Sequence, residues 1–171
     1  PDLARHYRVI SVDLKGFGAS PKPLDEAYSM DDQANLVIDF IKRHDLRELT
    51  LIGHSFGGGV ALLTALKLPE EGLDLLSSLV LIGIVGFRQP LHIFLKALRI
   101  PVLRKGILKL APVERQVSSI LKLAYFDDAK ISEEAVAAYA APLKTHAARH
   151  ALRETALRII PPDLKRVSST Y

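Results

Sequence analysis

The stretch Leu49-Thr50-Leu51-Ile52-Gly53-His54-Ser55-Phe56-Gly57-Gly58-Gly59-Val60-Ala61-Leu62 decides how the rest of the chain is read. Leu49 to Ile52 form a short, mostly apolar run of the kind that makes a buried strand. Gly53-His54-Ser55-Phe56-Gly57 is a G-x-S-x-G pattern, and the small and aliphatic residues that leave it have helical spacing. The stretch therefore predicts strand, sharp turn, helix. A turn of this kind holds its serine at the tip on a strained backbone, and the flanking glycines let strand and helix approach. Ser55 is thus presented rather than buried, and Gly53, His54, Gly57 and Gly58 build the turn around it.

Upstream, Tyr7-Arg8-Val9-Ile10-Ser11-Val12 predicts another strand, ending at Asp13. The segment that follows, Asp13-Leu14-Lys15-Gly16-Phe17-Gly18-Ala19-Ser20-Pro21, is punctuated as a loop. Ser29 is a good N-cap with Asp32 at N3, and Ala34, Val37, Ile38 and Ile41 then repeat at helical spacing to about His44. Downstream, Pro69 is expected to stop the helix that begins in the turn, and Leu79 to Ile84 predicts a third strand. The strands read as continuous apolar runs separated by helices, which predicts an α/β architecture with a parallel sheet covered on both faces.

After Gly86 the character changes. From Phe87 to about Ile160 the pattern is helical, with Leu91, Phe94, Leu95 and Leu98 on one apolar face, Val117, Ile120, Leu121 and Ala124 on another, and Ser132 capping a helix. Pro101, Pro112, Pro142 and Pro161-Pro162 divide this half into short helices. The expected organisation is a core at residues 1–86 and a helical region at 87–171.

Composition narrows the class. The chain has 171 residues, 49% of them hydrophobic and 25% charged, enough for one globular core. No apolar run is long enough for a membrane span, and the absence of cysteine fits a reducing compartment, so a cytoplasmic location is expected. A net charge of +4 is too mild to imply nucleic-acid binding. No His, Asp or Glu cluster has metal-ligand spacing, and Gly16-x-Gly18 without a third glycine opening a helix is not a dinucleotide site, so neither metal nor cofactor is expected.

Two separated signatures, Asp13-x-x-Gly16-x-Gly18-x-Ser20 after one strand and Gly53-His54-Ser55-Phe56-Gly57-Gly58 after another, together resemble the α/β-hydrolase fold family, in particular members with a helical cap. The resemblance implies that Ser55 is a nucleophile, that the Phe56 backbone N–H is one oxyanion donor, and that residues 87–171 form the cap. It also implies that a histidine, an acid and a second oxyanion donor lie outside these residues, so that the chain is an internal segment of a longer hydrolase and inactive by itself. In the family a further strand lies between those ending at Asp13 and at Gly53, which leaves a gap here. The activity implied is carboxylesterase- or lipase-like cleavage of a small, mostly apolar carbonyl substrate. Carbon-carbon bond hydrolysis and a non-catalytic binding scaffold are the alternatives.

The remaining candidates read more plainly. His54 adjoins Ser55, but successive side chains in a turn diverge, so it is not expected to be the base. His92, His146 and His150 fall on predicted helices with surface or packing roles, and His6 and His44 at loop or helix ends. Asp13 is expected to organise its loop by accepting N–H bonds, and Asp127-Asp128 to be a turn or cap pair. Between Asp74 and Glu114 there is no acid, and Arg88, Lys96, Arg99, Arg104, Lys105 and Lys109 alternate with apolar residues. Segment 88–109 has the pattern of a peripheral contact with an anionic membrane. The preferred reading is that its apolar face packs inward and its bases face water.

Overall fold

The computed structural model describes residues 2–84 and 112–159. Its first regular helix, α1 (Met30–Arg43), begins where the capping pattern places it. The Ser29 hydroxyl accepts from the Asp32 N–H at 3.1 Å and the Asp32 carboxylate accepts from the Ser29 N–H at 2.9 Å. This reciprocal pair satisfies donors that every helix start leaves open. Strand β1 (Leu49–His54) runs into helix α2 (Phe56–Glu70), and strand β2 (Leu76–Ile82) returns parallel to β1, pairing Ile52 with Val80 and His54 with Ile82.

Helix α2 is buried along most of its length because it is a middle layer. It packs on β1 and β2, and α1 packs on α2. Met30 and Ala34 of α1 meet Val60, Leu62 and Leu63 of α2 in one cluster, while Ile38, Ile41, Leu46 and Leu68 form a second. Pro69 does not stop α2, contrary to expectation. It sits in the last turn, where it forgoes the N–H bond to the Ala65 carbonyl, and the helix runs only one residue further, to Glu70; the chain then turns at Gly72, whose φ is +71° and whose N–H donates to the Pro69 carbonyl at 2.9 Å.

Two further expectations need correction. Tyr7 to Val12 is not a strand: among the described residues the sheet has two strands only, and Tyr7 is 69% and Ile10 41% exposed. A strand exists by its ladder, and no neighbour pairs with this run here. A cleft of about 340 Å³ opens beside it, lined by Val12, Leu14, Leu36, Val37 and Phe40 among others. The helices cover one face of the sheet. On the opposite face Ile52, Val80 and Ile82 are exposed, so the second cover expected from the apolar strands is not among the described residues.

The later half is helical where described, in α3 (Val113–Ala124), α4 (Glu133–Ala140) and α5 (His146–Leu157). Val117 and Leu121 of α3 pack with Ala140 of α4, as the spacing of the apolar residues on α3 predicts. Ser132 caps α4 and Thr145 caps α5, each hydroxyl accepting an N–H at 3.1 Å. Asp127 accepts from the Ala129 N–H at 3.0 Å and caps a short turn. The 86/87 boundary, His92, the Leu91 to Leu98 face and the basic segment 88–109 lie outside the described residues.

Helix α5 carries a buried charge, and its cap residue Arg158 also reaches Glu26 of the first half at 2.7 Å. Glu154 is 2% exposed, and its carboxylate accepts from both the Arg153 and the Arg158 guanidinium groups. Burial alone pushes this carboxyl up, but the two arginine hydrogen bonds outweigh it and hold the group below its ordinary range. A carboxyl lowered in the folded state contributes stability that is present above its unfolded value, near 4.5, and is lost as pH falls through the folded value. Glu154→Gln is therefore expected to cost about 2 kcal/mol near neutral pH, because the half-exposed arginines recover part of their hydration. Denaturant melts of wild type and variant should converge as the pH is lowered below 4.

Candidate active site

The turn between β1 and α2 has the geometry its sequence predicts. Ser55 takes φ +52° and ψ −118°, a backbone region that side-chain-bearing residues rarely occupy. The strain is held from both sides. The Ser55 N–H donates to the Ile82 carbonyl at the end of β2 at 2.9 Å, and its own carbonyl accepts from the Gly58 and Gly59 N–H groups at 3.1 and 3.2 Å. Ser55 itself is half-buried.

The glycines are there for approach. A Cβ on Gly53 would lie 2.5 Å from the Gly57 carbonyl oxygen and 2.6 Å from the Gly58 Cα, and one on Gly58 would lie 2.4 Å from an Ile84 methyl. Strand and helix backbones thus pass too closely at Gly53 for any side chain. Gly57 has open space around it, so no such demand explains that position. The start of α2 leaves the Phe56 and Gly57 N–H groups without partners among the described residues. Together with the positive end of the helix dipole they make a local site for negative charge next to Ser55.

The Asp13 loop lies against this turn. Its carboxylate accepts from the Ala19 N–H at 2.8 Å, the Ser20 hydroxyl donates to the Asp13 carbonyl at 2.6 Å, and the Gly16 N–H donates to the Pro21 carbonyl at 2.9 Å. Gly16 and Gly18 have φ of +93° and +47°, and a Cβ on Gly18 would lie 2.1 Å from the Asp13 carboxylate. Asp13 therefore holds the loop's own backbone, although no ladder strand leads to it. Asp13→Ala is expected to cost about 1 kcal/mol, the worth of a hydrogen bond whose donor can still reach water; a urea melt measures it.

Phe17, at the tip of this loop, packs against Phe56 with ring centroids 6.2 Å apart. Nothing in the periodicity signals that contact, nor the placement of Ile82 and Ile84 against the turn. Of the histidines, the His54 residue is exposed. The His150 ring faces Tyr28 edge-on at 6.1 Å and donates its Nε2–H to the Asp25 carbonyl at 2.6 Å. No histidine is hydrogen-bonded to the Ser55 hydroxyl among the described residues. These residues also hold no group of three or more His, Asp or Glu side chains arranged to bind a metal, and no helix long and apolar enough to cross a membrane.

Known proteins resemble this chain over different lengths. A 2-hydroxymuconate semialdehyde hydrolase of Pseudomonas sp. (strain CF600) is 36% identical over 91 residues, covering 53% of this chain and 31% of that protein. An uncharacterised hydrolase, YugF, of Bacillus subtilis (strain 168) is 30% identical over 145 residues, covering 84% of this chain and 51% of that protein. Among solved structures, the meta-cleavage product hydrolase from Pseudomonas fluorescens IP01 superimposes with a TM-score of 0.70 at 21% identity, over 96% of this chain and 55% of that one. The chain thus spans about a third to a half of these relatives' lengths. The strand, strained turn and helix, with the loop packed beside them, lie within residues 1–105, which match the family described as alpha/beta hydrolase fold, and the chain belongs to that family.

Proposed function

We propose that Ser55 is the nucleophile of a serine hydrolase whose other catalytic groups lie outside the described residues. The observation that carries the reading is the Ser55 backbone at φ +52° and ψ −118°, pinned between β2 and α2. Strain of this kind persists only where the surroundings over-determine it, and it presents a serine hydroxyl for attack. In the whole protein the Ser55 hydroxyl gives its proton to a histidine and attacks a carbonyl carbon. The Phe56 N–H holds the resulting oxyanion, and water then releases the acyl group. The helical half, residues 87–171, covers the site as a cap, and its leucine- and alanine-rich composition suits a small, mostly apolar substrate.

Two substrate classes follow from the same nucleophile. One is an ester. The other is a carbon-carbon bond next to a carbonyl, which the names of several relatives favour, among them a 2-hydroxymuconate semialdehyde hydrolase and a 2-hydroxy-6-oxo-2,4-heptadienoate hydrolase. The experiment is turnover by the natural full-length protein of p-nitrophenyl butyrate and of a 2-hydroxy-6-oxo-dienoate, side by side. A preference for the dienoate of a hundredfold or more in kcat/KM, which is about 2.7 kcal/mol, assigns the carbon-carbon class, and the reverse assigns the esterase class. Turnover of neither supports the binding scaffold. The 171 residues alone are expected to turn over neither.

A further inference from the structure

We infer that α5 is a clamp on the loop that follows Asp13, and through that loop on the Ser55 turn. Two side chains, one from the first half of α5 and one from its C-terminal cap, reach the same short segment. His150 donates its Nε2–H to the Asp25 carbonyl at 2.6 Å, and Arg158, just past the last turn, pairs with Glu26 at 2.7 Å while its other nitrogen holds the buried Glu154. From Asp25 the contacts run inward. Its carboxylate accepts from the Lys15 ammonium at 2.8 Å, and that ammonium also donates to the Ala27 carbonyl and lies 4.6 Å from the centre of the Tyr28 ring.

The far side of this chain of contacts is rigid. Tyr28 is wholly buried, with its hydroxyl donating to the Pro23 carbonyl at 2.7 Å, and the Lys15 carbonyl accepts from the Gln33 side chain of α1 at 2.9 Å. The loop is tight against α5 as well: a Cβ on Gly16 would lie 2.8 Å from the Ala151 Cβ and 2.6 Å from the Tyr28 ring. One residue beyond Gly16, Phe17 packs on Phe56, and Ile159, one residue beyond Arg158, packs against the cluster that Phe56 also touches. The helical half therefore reaches the residue after Ser55 by two routes, one through Asp25 and Lys15 and one through Ile159. A ligand or partner that lifts α5 loosens the Asp13 loop and the turn together, which gives the helical half control over how Ser55 is presented. The contacts of α5 with the loop do not depend on the reading of Ser55 as nucleophile, whereas control over Ser55 rests on it, and loop exchange tests the contacts without measuring turnover.

The test is amide hydrogen exchange on the natural full-length protein with paired variants at half-buried His150. His150→Leu removes the donor to Asp25, whereas His150→Gln keeps an amide N–H at a similar reach. His150→Leu is expected to speed exchange at the Ala19 and Ser20 amides about tenfold, the equivalent of one hydrogen bond, while Val60 to Thr64 in α2 are unchanged. His150→Gln is expected to stay within about twofold of wild type. Arg158→Leu, which breaks the second contact, is expected to act on the same loop amides. Unchanged loop exchange in both His150→Leu and Arg158→Leu would overturn the inference. So would a rise that appears equally in α2, since that is general destabilisation, or a His150→Gln effect as large as that of His150→Leu.

Discussion

Ser55→Ala in the full-length protein is expected to lower kcat by about 10⁵-fold while leaving the fold intact. The hydroxyl is the only group removed, and the backbone bonds that pin the turn, from Ser55 N–H to Ile82 and from Gly58 and Gly59 to the Ser55 carbonyl, involve no side chain. Rate and stability should therefore separate. Ser55→Gly sharpens the point. It removes the same hydroxyl but also relieves a φ of +52° that glycine adopts freely. Its activity should be equally low, yet its denaturation free energy should rise by about 1 kcal/mol over Ser55→Ala. Comparable stability in the two variants would mean that the turn stores no strain, and the argument from backbone to function would lose its footing.

Gly53→Ala is expected to be the most damaging single-methyl change in the described core. The new Cβ would stand 2.5 Å from one backbone atom of α2 and 2.6 Å from another. Backbone cannot rotate away as a long side chain can, so β1 and α2 must separate, and α2 contributes buried residues to both hydrophobic clusters. Overpacking against a well-filled site costs about 3 kcal/mol, a large share of a marginal fold. Gly57→Ala is the internal control, since nothing stands within 4 Å of a Cβ there. Gly57 lies in the first turn of α2, where alanine's helix preference over glycine is only partly realised, so that variant should be neutral or gain a few tenths of a kcal/mol. A urea midpoint for each of the two decides it. Equal midpoints would show that close approach at Gly53 is not what the glycine is for.

These two glycines also show how far the sequence alone could be read. The G-x-S-x-G pattern announced the turn, because strand, glycine and helix propensities all agree over one short stretch. The same local agreement made the α1 capping pair legible from Ser29 and Asp32. But the pattern treats Gly53 and Gly57 alike, and only the approach of the α2 backbone distinguishes them. Tyr7 to Val12 failed for the opposite reason. Its composition is that of a strand, yet strand formation is a property of the pair, and no neighbour is present among the described residues. Pro69 stands one residue inside the helix it is expected to end, a difference no larger than the fraying of a last turn.

The candidate site divides in the same way. Ser55 was identifiable because its chemistry rests on local backbone geometry. Asp13 could be assigned to its loop because the glycines around it allow the turn in which its carboxylate accepts the Ala19 N–H. What could not be read was everything that depends on distant segments meeting. The Phe17 ring against Phe56, the Ile82 carbonyl that pins Ser55, and the reach of His150 and Arg158 to residues 25 and 26 are contacts across the chain with no local pattern to announce them.

The central claim is that the strained turn presents Ser55 as a nucleophile, and the most direct measurement is covalent labelling of the natural full-length protein with a fluorophosphonate, followed by peptide mapping. Such a probe reports serine nucleophilicity without presupposing a substrate. The account predicts a single phosphonylated peptide, the one containing Gly53 to Gly59, and its disappearance in Ser55→Ala. Label on a different serine, or no label on a preparation that turns over a carbonyl substrate, would contradict it.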